Sequence, residues 1–124
     1  MNIPKELKYT PKHIWLDIMG NEAYVGLTDY AQEEMGDILF VDLPDTEVSF
    51  DADETFCEVE SSKTTQELSL PFGFSVVEVN DGLDDSPENI NEDAYKNYIV
   101  KISFDETPSG LLSWEEYENI TKEE

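Results

Sequence analysis

Polar and apolar residues alternate with period two in several short runs of this chain, and each run predicts a β-strand. Thr55, Cys57 and Val59 alternate with Phe56, Glu58 and Glu60; Gln66, Leu68 and Leu70 alternate with Glu67 and Ser69. The polar break between them, Ser61-Ser62-Lys63-Thr64, predicts a hairpin with Lys63 at or near its tip. Residues 12–27 read as two strands about a Gly20-Asn21 turn, with Ile14, Leu16 and Ile18 set against Trp15 and Asp17. Further strands are expected over 38–43, ended by Pro44-Asp45, and over 74–80 and 98–104. A weaker strand or turn is expected over 47–50.

Two segments carry helix signals instead. Thr28-Asp29 opens a short helix: Asp29 and Gln32 have capping-box spacing, and Gly36 supplies the stop. Residues 113–122 form the second, with Ser113 and Glu116 again three apart. Residues 81–91 are polar and turn-rich, and 107–110 read as a turn. Many short strands with few helices argue a mostly β, β-rich α+β chain, a sandwich or small barrel with short peripheral helices. No boundary interrupts it, so residues 1–124 are expected to form a single domain.

Composition narrows the possible partners. Seven basic residues, all lysine, face 30 acidic ones, a net charge of −23. Without arginine there is no bidentate fork for phosphate, so nucleic acid is excluded as a partner, and anionic membrane surfaces are excluded by the same repulsion. No apolar run approaches the roughly 20 residues of a membrane span. The first residues, Met1-Asn2-Ile3-Pro4-Lys5-Glu6, resemble neither a secretory signal nor a transit peptide. A soluble, cytoplasmic, monomeric protein is the expectation.

The candidate chemistry is sparse. One histidine and one cysteine cannot build an ordinary zinc site. The run Asp81-Gly82-Leu83-Asp84-Asp85 lacks calcium-loop spacing and reads as a solvated face. No serine stands in a nucleophile elbow, and no Gly-rich phosphate loop is present, so no independent enzyme activity is expected. Cys57 shares the side of Val59 and reads as a small core thiol. His13, at a strand start beside Ile14 and Trp15, reads first as a packing or hydrogen-bonding histidine. Lys63 is the remaining feature. Glu58, Glu60 and Glu67 nearby keep its proton on, which suits modification by another enzyme better than catalysis by the amine itself. From spacing alone an ordinary exposed turn lysine is the favoured reading.

The string Glu58-Val59-Glu60-Ser61-Ser62-Lys63, followed by Val76-Val77-Glu78-Val79-Asn80, resembles the H-proteins of the glycine cleavage system. So, in order along the chain, do Tyr9-Thr10-Pro11 with His13 and Trp15, Gly26 to Glu33, Gly36-Asp37-Ile38 with Phe40 to Pro44, Asn91-Glu92-Asp93, and Leu111-Leu112-Ser113 with Glu115-Glu116-Tyr117. The resemblance implies a barrel-sandwich hybrid of the lipoyl-domain type, with lipoate in amide linkage to Lys63 on an exposed hairpin. It also implies a carrier function. The aminomethyl group of glycine passes from a pyridoxal-phosphate glycine decarboxylase (P-protein) to a tetrahydrofolate-dependent aminomethyltransferase (T-protein). A dihydrolipoamide dehydrogenase (L-protein) then reoxidises the arm, which a lipoate-attaching enzyme installs.

The family folds its loaded arm into a surface cleft. Glu67, Glu34 and His13 are the candidates for that cleft here. The chain departs from the family at Lys12 and Ile14, positions that border the cleft, and at Phe74, where a glycine is expected and an altered turn or bulge is anticipated. Two other readings stand beside the carrier of glycine cleavage: an H-like lipoyl carrier for lipoate relay or redox signalling, and an unmodified acidic interaction protein.

Overall fold

A computed structural model describes residues 2–106 and 108–123, with the side chain of Glu123 left aside. Two antiparallel sheets enclose the main core. The larger has strand order β1-β2-β3-β9-β8-β5: β1 (Lys8–Tyr9), β2 (Ile14–Met19), β3 (Glu22–Leu27), β5 (Ser49–Phe50), β8 (Phe74–Val79) and β9 (Val100–Ser103). The smaller is β4 (Ile38–Asp42), β6 (Cys57–Ser61) and β7 (Thr65–Leu68), in the order β4-β6-β7. Helices α1 (Asp29–Met35), α2 (Gly82–Asp85), α3 (Asn89–Glu92) and α4 (Trp114–Glu123) lie at the periphery. The fold is the mostly β arrangement that the alternation predicts.

The hairpins follow their sequence signals. β2 and β3 pair from Ile14↔Leu27 to Met19↔Glu22. Of the two turn residues only Gly20 has a positive φ, 66°, which is the type II′ pattern that matches strand twist. In β6, Cys57 and Val59 are buried while Glu58 and Glu60 are exposed. Leu16, Val25, Ile38, Val41, Val59, Leu68, Val76 and Ile102 meet between the sheets.

The first half of β2 is buried on both faces, while Asp17, Ile18 and Met19 are exposed. Ile14 and Leu16 enter the main core, whereas Trp15 joins Leu7, Tyr9 and Tyr117 in a second cluster. Gly26, paired with Trp15, makes room for its indole: a Cβ there would lie 2.7 Å from the ring. Ile14 is therefore a core residue, 0% exposed, and does not border a surface cleft.

Three other expectations need correction. The N-cap of α1 is Thr28, not Asp29: Thr28 Oγ1 accepts from the Ala31 N–H at 3.2 Å, and Asp29 instead accepts from Gln32 Nε2 at 2.8 Å. Residues 81–91 are not plain turns but hold α2 and α3, because Leu83 and Ile90 are pulled into the core. Phe74 enters β8 without distortion, packed on Phe50 and Phe56; the register shift falls between Val76 and Glu78. β1, carried by no alternation, forms through pairing with β2. The predicted box of α4 is formed reciprocally: Ser113 N–H donates to Glu116 Oε1 at 2.9 Å, and Glu116 N–H to Ser113 Oγ at 3.3 Å. Of the expected turn at 107–110, Thr107 lies outside the described residues, and Gly110 takes φ 76°.

Candidate functional site

The β6–β7 turn is built by one side chain. Ser61 Oγ accepts from the N–H groups of Lys63 (3.3 Å) and Thr64 (3.1 Å) and donates to the Thr64 carbonyl at 2.9 Å. The Ser61 N–H also donates to the Thr64 carbonyl, at 2.8 Å, and the Ser62 N–H donates to the Asp37 carbonyl at 2.9 Å. The turn is thus clasped at its base and tied to the segment linking α1 to β4. Lys63 is exposed at its tip and makes no ion pair among the described residues. Its methylenes lean over Gly36, where a Cβ would stand 3.6 Å from Lys63 Cε and 3.0 Å from Ser62 Oγ.

This contact shows which side of the hairpin the lysine serves. Gln66 Nε2 donates to the Lys12 carbonyl at 3.2 Å, binding β7 to the loop before β2. In that loop, His13 packs against Tyr30 of α1, with centroids 4.7 Å apart and ring planes tilted by 32°. These contacts make β7, residues Lys12 and His13, and the face of α1 running from Tyr30 to Gly36 neighbours, and the surface between them, with Lys63 at its end, is taken as the candidate groove for an arm. At 1.5 Å per residue that helix face is about 9 Å long.

The candidate residues fall unequally around it. His13 is half-buried on the wall, its backbone at φ 68°, its N–H donating to the Thr10 carbonyl and its C=O accepting from Thr28 N–H, each at 3.1 Å. Glu34 is exposed on α1, one turn beyond Tyr30, on the stripe that faces His13. Glu67 stands elsewhere. Neighbouring strand residues point to opposite faces, so it lies opposite Gln66, on the outer side of the hairpin. There it is paired with Glu58, and its Oε2 accepts from Thr55 Oγ1 at 3.2 Å. Lys12 bridges to the hairpin, its Nζ donating to Ser69 Oγ at 3.1 Å.

Gly36 is legible in the sequence only as a helix stop and Tyr30 only within the Gly26 to Glu33 string, and no motif picks out Gln66; their place around the lysine comes from the fold.

Cys57 is buried in the core, and its thiol is pushed up to about 12, first by burial and then by the charges of Asp42 and Glu58. It is not a nucleophile. Among the described residues no group of three or more His, Cys, Asp or Glu side chains is arranged to hold a metal ion. Nor is any helix among them long and apolar enough to cross a membrane.

Comparison with known proteins gives one consistent result. The family model described as glycine cleavage H-protein matches residues 7–124. The glycine cleavage system H protein of Herpetosiphon aurantiacus is 47% identical over 124 residues, spanning 99% of this chain and 96% of its own. That of Bacillus subtilis (strain 168) is 44% identical over 127 residues, spanning the whole of both. Among solved structures, a glycine cleavage system H protein from Mycobacterium marinum superposes with a TM-score of 0.86 at 34% identity, covering 97% of this chain and 99% of that one. The family match over nearly the whole chain, together with a hairpin that presents a clasped lysine, establishes that this chain belongs to the glycine cleavage H-protein family.

Proposed function

We propose that this protein is the lipoyl carrier of a glycine cleavage system and that Lys63 is the attachment point. The observation that carries the reading is the exposed ε-amine at a turn rigidified by Ser61, beside a groove whose floor at Gly36 has no side chain. Bound there, lipoate supplies a redox-active disulfide able to take up the aminomethyl group of glycine and pass it on. The chain supplies the rest. The clasped turn holds the tether's root, so the local concentration of the arm near its groove is high without a further binding event. Gly36 lets the lysine stem lie flat on the C-terminal end of α1. Tyr30 and His13 offer an aromatic wall, and Gln66 fixes that wall to the hairpin.

For the acid that would attract a cationic amine on the arm, placement favours Glu34 over Glu67. Glu34 shares the groove stripe, while Glu67 faces away. His13 serves as a wall residue. The partners are a P-protein, a T-protein, an L-protein and a lipoate-attaching enzyme, each meeting a monomer of net charge −23 in the cytoplasm. Such a field favours encounter with positively charged faces and makes association rates fall with salt. On this reading the chain acts as a carrier subunit in one domain.

The test is glycine–bicarbonate exchange catalysed by a P-protein with the lipoylated chain as acceptor. Exchange that depends on lipoylated Lys63 supports the reading. A lipoylated protein that supports no exchange refutes it and favours a relay role.

A further inference from the structure

Edge strand β4 carries two large apolar side chains out to solvent, Leu39 at 60% exposure and Phe40 at 48%. Strict alternation from the buried Ile38 would turn Phe40 inward with it. The register shift between Ile38 and Phe40 breaks that alternation. Leu39 is the extra residue of the bulge, Phe40 is re-aimed outward, and Val41 takes the buried place. Phe40 is paired with Glu60, three residues before Lys63 and so about 10 Å from it along an extended strand.

Carboxylates surround this patch. Pairing runs Asp42↔Glu58↔Glu67 across the three strands, and with Glu60 these acids share the exposed face that holds Phe40. Like charges directly opposite one another in a sheet are destabilising. On its other side Phe40 lines a groove with Leu43 and Val79, whose charged residues are Asp42, Asp45, Asp81 and Asp84. No lysine belongs to the three strands or to that lining. A row of like charges that weakens the sheet is expected where a partner brings the cations.

The occupant follows from this chemistry. A second copy of the chain would bring the same carboxylates and be repelled. An apolar anchor ringed by acids fits a protein with an apolar pocket rimmed by lysine or arginine. We propose that this outer face docks the enzyme that attaches lipoate to Lys63, a partner with a pocket for Phe40 inside a basic rim. The assignment rests on the carrier reading. That enzyme acts on the ε-amine itself, so its footprint reaches the hairpin root, where Phe40 and Glu60 stand. Enzymes that work on the far end of the arm need no such contact. The neutral amine attacks the carbonyl carbon of an acyl-adenylate made from lipoate and ATP. A C–N bond forms as the C–O bond to AMP breaks, and one proton leaves the nitrogen. Docking on the outer face leaves the Gly36 and Gln66 side of the hairpin uncovered for the new arm.

The experiment is steady-state attachment with lipoate, ATP and a lipoate-attaching enzyme, varying the chain's concentration to obtain kcat and KM. Phe40→Ser should lower kcat/KM about ten-fold through KM, with kcat unchanged, the scale of one aromatic anchor. Glu58→Gln combined with Glu60→Gln should lower it roughly three-fold at low salt and flatten its salt dependence. Met19→Ser, which removes a similarly exposed side chain from the last position of β2, should change nothing. Should Phe40→Ser fail to fold, Leu39→Ser tests the same patch with the more exposed side chain. Wild-type kcat/KM in the patch variant overturns the inference, as does a loss confined to kcat. An unchanged salt dependence in the charge variant removes the basic rim and overturns it too. A defect seen only in P-protein exchange would give the face to a cargo enzyme instead. In all these outcomes the wild type is loaded and the carrier reading stands; a wild type that takes no lipoate refutes both.

Discussion

Gly36 takes φ 77° and ψ −152°, a combination nearly restricted to glycine, directly beneath the Lys63 stem. A side chain there meets both a strained backbone and the Ser62 hydroxyl at 3.0 Å. Gly36→Ala is therefore expected to cost about 1–3 kcal/mol in urea unfolding and to tilt the lysine out of its groove. An unchanged midpoint would show that the residue is not strained. Two carboxylates separate the groove from the outer hairpin face. If placement governs, Glu34→Gln should hasten loss of an amine from the loaded arm by about two- to five-fold, a weakened exposed charge contact, while Glu67→Gln leaves the rate alone. The reverse pattern would return the role to Glu67.

Elements differ in how plainly the chain announces them. Strands were legible wherever one face is buried and the other wet, as in Cys57-Glu58-Val59-Glu60, because period two leaves a visible trace. α2 and α3 were not. Four residues hold one buried side chain apiece, Leu83 and Ile90, and a single apolar position has no period. The cap of α1 was misplaced by one residue because Thr28 and Asp29 are both good caps, and burial decided for Thr28. Lys63 could be read from its motif. The groove could not, since it is assembled by contacts such as Gln66 to Lys12 and His13 to Tyr117, 54 and 104 residues apart.

The capping box of α4 gives an element-scale prediction. The Ser113 backbone N–H, and then its hydroxyl, hold the Glu116 carboxyl below its ordinary range. A depressed folded pKa stabilises at pH above the unfolded value, and that stabilisation disappears as pH falls through the folded one. α4 should consequently fray in acid, seen as lost helical circular dichroism. Glu116→Gln should flatten that acid limb; an identical limb in the variant would exclude the box as its cause.

At the scale of the whole molecule the charge dominates. Seven cations cannot neutralise 30 carboxylates, so at least 30 − 7 = 23 of the acids have no cation of their own. The pairs Lys101–Glu22 at 3.6 Å and Lys122–Glu118 at 3.4 Å lie at the surface and contribute little. Self-repulsion should therefore weaken the native state at low ionic strength. Raising salt toward physiological strength is expected to raise the melting temperature by roughly 4 °C, and a flat or falling trend would contradict this.

The same charge surrounds a frame that holds the exposed Lys63 amine on a clasped turn. The most direct measurement on that amine is intact mass after incubation with lipoate, ATP and a lipoate-attaching enzyme. One added lipoyl group on the wild type and none on Lys63→Arg is the predicted result. A wild type that stays unmodified, or a Lys63→Arg variant that still gains the group, would contradict it.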